Sequence, residues 1–222
     1  MLIKLGIIMY HNNFQGMYNY IEPLPFDVEG NNQSYWSKER YIAFSKLIQK
    51  TGSTTVIEIG SWKGKSTIDI AKMLPETGKV FSVDHWLGWI KNGINTYSHS
   101  DLEFIYHQFL SNVIHAQQTH KIIPFRMSNK EAANSLNVTV DIIFFDEEIP
   151  LNDDFQLWVP KLKANGVMCT FLYEGSFSKE IEALIKNYDL HSTYIGDLCC
   201  YAKRLPKALS VDCGEFGNET RY

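Results

Sequence analysis

Four short apolar runs, TTVIEIG (54–60), KVFSVD (79–84), KIIPFR (121–126) and VDIIFFD (140–146), alternate with stretches of helical period, and nothing else in the chain constrains its fold as much. Each run is rich in Val, Ile and Phe and is bounded by turn residues, as strands are. Runs this continuously apolar belong to strands buried on both faces, and alternating strands and helices imply a parallel sheet wound by right-handed crossovers. The helical periods fall near 64–74, 101–118 and 129–136, then near 153–163 and 177–188 around a fifth strand, NGVMCTFLY (165–173). Upstream, Ser37 is a good N-cap for a helix in which Tyr41, Phe44, Leu47 and Ile48 recur until Gly52. At the far end LHSTYIG and LCCYAKR are parted by Gly196 and Asp197, which is hairpin spacing and predicts an antiparallel edge. The expected fold is α/β and doubly wound (Rossmann-like). It has a mostly parallel seven-stranded sheet, an antiparallel C-terminal strand and helices on both faces.

A chain of 222 residues can bury one such core without staples. We expect an irregular cap over residues 1–36, the α/β domain over 37–205 and a loosely ordered tail over 206–222. The net charge of −4, spread along the chain, offers no basic face, which argues against nucleic acid as a partner. The opening MLIKLGIIMYHNN is too short an apolar stretch for a signal peptide or a membrane span. Cys169, Cys199, Cys200 and Cys213 lack metal-ligand spacing and read as reduced thiols, so a cytoplasmic protein with no membrane partner is expected.

The stretch GSWKGKST (60–67) resembles a phosphate loop at first sight. A P-loop needs four residues between its glycines so that backbone N–H groups can wrap the phosphates, and Gly60 and Gly64 have only three. A dinucleotide loop fails differently, because Ser61 and Trp62 stand where close approach to a pyrophosphate favours glycine. What remains is an acidic strand end followed by GxxxG. Gly60 permits a tight turn, Gly64 starts a helix close to the sheet, and Glu58 can meet an amine. Those features suit a ligand carrying both an ammonium and a carboxylate, like the methionine part of S-adenosylmethionine. Asp84 ends the second strand, where a carboxylate can accept hydrogen bonds from ribose hydroxyls. Singly, each of these residues has an ordinary reading as a turn, cap or surface residue, and it is their combination that points to a site.

With those residues in place, the chain resembles the class I S-adenosylmethionine-dependent methyltransferases, in particular the bacterial small O-methyltransferase-like branch. The resemblance rests on EIGSWKGKST (58–67), VDHWLG (83–88), FLSNVIHA (109–116) and RMSNKEAA (126–133), and spans roughly 37–204. It implies that Glu58, Gly60 and Ser61 line the methionine moiety, that Gly64 belongs to the same cofactor site and that Asp84 binds the ribose. His85 and Trp86 would flank ribose and adenine, Met127 and Ser128 would lie beside the adenine, and Asp146 would face the transferred methyl. A large aromatic beside a strand also packs readily in a core, which is the alternative for Trp86. Asp146 or His85 is the candidate base. Relatives often hold a divalent metal after the fourth and fifth strands. Here Asp146, Glu147 and Glu148 could bind magnesium, but TFLYEGS (170–176) supplies no clear second group of ligands. The resemblance thus implies methylation of an oxygen on a small molecule or sugar, or alternatively a protein that binds the cofactor or a partner without transferring a methyl group. Tyr18, Tyr20, Phe26, Tyr35 and Trp36 could form a lid over the acceptor or pack in a homodimer interface.

Overall fold

A computed structural model of the chain describes residues 18, 21–28, 36–88, 90–91, 94–95, 99–146, 152–171, 179–204 and 209. Helix α1 (Lys38–Thr51) starts as its sequence dictates. The Ser37 hydroxyl accepts the Arg40 N–H at 3.3 Å, and Gly52, at φ +63°, ends the helix by donating its N–H to Ile48. Strand β1 (Thr55–Ile59), helix α2 (Lys65–Met73), strand β2 (Lys79–Asp84), helix α3 (His99–His115) and strand β3 (Ile122–Arg126) follow. Then come α4 (Asn129–Ser135), β4 (Val140–Phe145), α5 (Asn152–Trp158), β5 (Leu162–Phe171), α6 (Lys179–Asn187), β6 (His191–Ile195) and β7 (Leu198–Ala202). A short antiparallel pair, Ile90–Lys91 with Ile94–Asn95, lies in the segment between β2 and α3.

The seven strands pair in the order 3-2-1-4-5-7-6. Strands β1 to β5 pair in parallel, and β7 runs antiparallel to both β5 and β6. The antiparallel strand is therefore one place in from the edge: the tight turn at Gly196 and Asp197 folds β7 back between β5 and β6, leaving β6 outermost. Strand β5 begins at Leu162, three residues before the sequence suggests, because its exposed start at Lys163–Asn165 carries no apolar signal.

Alternation along the strands sorts the core into two layers. Val56, Val80, Ile142, Phe144 and Val167 pack on one face with Phe44, Leu47, Ile70 and Phe109 from α1, α2 and α3. Ile57, Phe81, Ile143 and Met168 point to the other face, against Ala132, Phe155, Trp158 and Leu184 from α4, α5 and α6. Tyr18 and Trp36 join the first layer as core side chains, whereas Phe26 is exposed. Tyr20, Tyr35, Cys213, Glu147, Glu148 and nearly all of the tail lie outside the described residues. Cys169, Cys199 and Cys200 are buried thiols on β5 and β7. Among the described residues no helix is long and apolar enough to cross a membrane.

At the N-terminal end of the sheet, Asp141 ties three elements together. Its Oδ2 accepts the N–H groups of Thr54 and Thr55, each at 2.9 Å, and the Thr55 hydroxyl at 2.8 Å, while Lys163 reaches Oδ1 at 2.8 Å.

Candidate functional site

The chain turns from β3 on one side of β1 to β4 on the other, so the loops leaving β1 and β4 diverge at the C-terminal end of the sheet, the place where open α/β sheets bind ligands. Strand parity decides what lines that place. Glu58, Ser82 and Asp84 fall on the face that carries Val56 and Val80 lower down, so the apolar layer becomes polar where α2 begins. Glu58 and Ser82 are register partners. The Ser82 hydroxyl donates to Ser61 Oγ at 2.6 Å, Ser61 donates to Glu58 Oε2 at 2.9 Å, and the Thr67 hydroxyl donates to the same oxygen. Glu58 is fully buried, and its other oxygen, Oε1, has no hydrogen-bond partner. Burial pushes this carboxyl up to about 7, against the pull of the Ser66, Thr67 and Ser61 hydroxyls and with a further push from Asp84.

The loop between β1 and α2 is held in a conformation that favours glycine. Gly60 and Gly64 have φ +92° and +87°, and a Cβ on Gly64 would come within 2.9 Å of the Phe109 ring. Trp62 also lies in the left-handed region, at φ +45°, which costs a non-glycine residue about 1 kcal/mol or more. Three side chains hold it there. Its N–H donates to Asp84 Oδ2 at 2.9 Å, its carbonyl accepts Trp86 Nε1–H at 2.6 Å, and the next carbonyl, of Lys63, accepts Asn112 Nδ2–H at 2.8 Å. Asp84 Oδ1 takes the Trp86 N–H at 2.6 Å, so one carboxylate clasps the loops after both β1 and β2. Burial raises the pKa of Asp84, opposed by the Trp86 and Trp62 N–H groups.

Glu58, Gly60, Ser61, Gly64, Asp84 and Asp146 gather around the start of α2. Asp146 follows β4, donates its N–H to Ile59 at 2.9 Å, and accepts the Ser66 hydroxyl at 3.1 Å. The other candidates have tasks of their own. Trp86 is fully buried, its ring 4.6 Å from Tyr106 and 4.8 Å from Phe109. Ser128 caps α4, its hydroxyl and N–H both engaged with Glu131. Met127 is partly buried in the second layer and donates its N–H to the Asp84 carbonyl at 3.1 Å. His85 Nδ1 accepts the Leu87 N–H at 2.9 Å, which places the proton of a neutral ring on Nε2. Among the described residues no group of three His, Cys, Asp or Glu side chains gathers in a metal-binding cluster.

Sequence reasoning did not single out Ser66, Thr67, Ser82 or Asn112. Ser66 and Thr67 stood inside the quoted loop, and Ser82 is a polar residue within an apolar run, opposite Glu58 once the strands are paired. Asn112 stood inside the quoted FLSNVIHA stretch, but it is a fully buried amide on α3 whose partners lie far away in sequence, so nothing local set it apart.

The set can do definite chemistry. A buried carboxylate oxygen with no donor is built to receive one, and a cation is the donor that burial favours most. The first-turn amides of α2 attract a negative group. These residues therefore fit the ammonium and carboxylate of an amino-acid moiety.

No curated protein sequence matches the chain significantly. Solved structures share its fold at low identity. A methyltransferase from Geobacter sulfurreducens superposes with a TM-score of 0.58 at 14% identity, covering 76% of this chain and 79% of that one. A Staphylococcus aureus protein provisionally named a caffeoyl-CoA O-methyltransferase gives 0.55 at 15% identity, covering 90% and 98%. A Clostridium thermocellum protein provisionally named an rRNA methylase gives 0.51 at 14% identity, covering 79% and 100%. The family described as "Methyltransferase domain" matches residues 57–170, just over half of the chain, from Ile57 in β1 to Thr170 in β5. That match, over more than half of the chain and in keeping with the sheet order and the loop after β1, shows that the chain belongs to this methyltransferase domain family.

Proposed function

We propose that the protein is an S-adenosylmethionine-dependent methyltransferase acting on an oxygen of a small molecule or sugar. The observation that carries this reading is the buried Glu58 with its unpartnered Oε1, set beside the Gly60–Gly64 loop and the Asp84 clasp. When bound, the cofactor supplies an electrophilic methyl group on a sulfonium. Glu58 receives the ligand ammonium, the α2 amides receive its carboxylate, and Asp84 accepts from ribose hydroxyls through the lone pairs that its two N–H partners leave. Asp146 is the base that takes the proton from the acceptor hydroxyl, with Ser66 fixing its carboxylate. His85 is the weaker candidate, because the nitrogen able to accept a proton already faces the Leu87 N–H. The spread-out net charge of −4 supports a small acceptor over a polyanion.

Calorimetric titration with S-adenosylmethionine, S-adenosylhomocysteine and Mg-ATP tests the reading, with Asp84→Ala in parallel. We expect micromolar binding of both adenosyl ligands, none of ATP, and at least about tenfold weaker binding in the variant, the order of a lost charge-assisted contact. If the wild-type protein binds neither adenosyl ligand, the cofactor assignment is wrong. If it binds both but transfers a methyl group to no oxygen nucleophile in an acceptor screen, the non-catalytic alternative stands.

A further inference from the structure

Residues 21–28 lie along α3 as a strap, held by hydrogen bonds from the helix to their backbone, by the packing of Ile21 and Val28 on the core and by the Phe26 ring against His115. His107 Nε2 donates to the Glu22 carbonyl at 3.1 Å and Gln108 Nε2 to that of Pro25 at 2.8 Å, while Ser111 Oγ and His115 Nε2 each reach the Leu24 carbonyl at 2.8 Å. Positions 107, 108, 111, 112 and 115 share one helical face, so this polar row is continuous. Its end is Asn112, whose four hydrogen-bonding positions are all filled. Oδ1 accepts the Asp27 N–H at 3.0 Å and Gln108 Nε2–H at 2.8 Å, and Nδ2 donates to the carbonyls of Asp27 at 2.6 Å and Lys63 at 2.8 Å. The Lys63 ammonium also meets the Asp27 carboxylate, at 2.5 Å.

We propose that Asn112 is a positioning residue for the cofactor loop and that, through it, docking of the 21–28 strap and binding of the cofactor favour each other. One buried amide joins the strap to the carbonyl that follows the left-handed Trp62. If the strap leaves, Asn112 loses two of its four partners and Lys63 loses its ion pair with Asp27, so the amide that holds the Lys63 carbonyl is less firmly fixed and the left-handed conformation at Trp62 is less constrained. Linkage makes the effect reciprocal: a ligand that needs the loop in this conformation tightens the strap. This inference rests on the adenosyl reading above only for the identity of the ligand.

The test uses the full chain and Asp27→Pro, which deletes the strap N–H and the carboxylate without touching the sheet or helices. Asn112→Ala serves as a second variant, with circular dichroism to verify its fold. Amide hydrogen exchange without ligand comes first. Faster exchange at residues 62–66 in Asp27→Pro is expected, and unchanged exchange there overturns the coupling whether or not any ligand binds. With S-adenosylhomocysteine as the probe, wild-type protein should gain protection over 21–28, and Asp27→Pro should bind about tenfold more weakly. Equal affinity, or no added protection of the strap on binding, also overturns it. If wild-type protein binds no adenosyl ligand, that result falls on the cofactor assignment, and the ligand-free exchange decides the coupling by itself.

Discussion

Two carboxylates on neighbouring strands, Asp141 at the start of β4 and Glu58 near the end of β1, have opposite surroundings. Asp141 is closed. Two backbone N–H groups, threonine hydroxyls and the Lys163 ammonium cover both of its oxygens. Burial alone would raise its pKa, but Lys163 and the Thr54 and Thr55 donors hold it down at about 2. Glu58 is open. It is fully buried, receives only hydroxyls on one oxygen and nothing on the other, and is pushed up to about 7. A carboxylate that serves the fold is satisfied by the fold, whereas a buried one left short of donors is a candidate to meet a ligand. The same sheet thus carries a fastening at one end and the proposed ammonium receptor at the other.

The largest effect should come from the fastening. Asp141→Ala leaves the amides that open β1 without their acceptor and Lys163 without its partner, and should lower unfolding free energy by about 2–3 kcal/mol in urea denaturation. Adenosyl affinity measured well below the denaturation midpoint should stay within about twofold, since sites this far apart with no shared partner behave independently. The pH dependence follows from the depressed pKa. The stabilisation is fully present above the unfolded value near 4, and is lost as pH falls through the folded value of about 2. Asp141→Asn should therefore show a flatter stability profile than wild type in that acid range. A parallel profile would mean the network is not what holds β1 and β4 together.

Glu58→Gln probes the receptor, and the sign reverses. The folded pKa of about 7 lies above the unfolded value near 4.3, so the native state holds the extra proton between them and wild-type stability falls as pH rises through that window. The difference between wild type and Glu58→Gln isolates this contribution, and without ligand the variant should gain relative stability towards pH 8. Affinity moves the other way. A cationic ligand favours the charged carboxylate, so wild-type binding of S-adenosylmethionine should tighten as pH rises through about 7, while the variant shows no such rise and binds about tenfold more weakly at pH 8. Equal affinities at pH 8 would remove Glu58 from the site.

The sequence shows this contrast only halfway. Ser37 and Gly52 mark the ends of α1, and the apolar runs mark the five parallel strands, because caps and periodicity are local signals. The acidic strand end with GxxxG marks the loop for the same reason. The position of β7 between β5 and β6 depends on pairing, which no single stretch encodes. Ser82 becomes part of the site only when β2 is laid beside β1, and Asn112 only when α3, the strap and the loop meet. Trp62 is the instructive case. Its place in the chain argues against a glycine-type turn, yet it adopts one, because Asp84, Trp86 and Asn112 supply from a distance what glycine would supply locally.

The smallest effect belongs to Trp86, and it sharpens the line between fastening and receptor. The indole lies in the core against Tyr106 and Phe109 and gives its N–H to the Trp62 carbonyl, so its influence on a ligand is exerted through the loop. Trp86→Phe keeps an aromatic ring in that space and deletes the hydrogen bond. The backbone at φ +50° is equally unfavourable for either residue and cancels from the comparison. Stability should fall by about 1 kcal/mol, the worth of one buried hydrogen bond with some lost packing, and adenosyl affinity by no more than about threefold. If the indole instead stacks on the adenine, the pattern inverts: affinity would fall well beyond threefold while the urea midpoint hardly moved. Measuring both quantities on one preparation separates a residue that shapes the loop from one that touches the ligand.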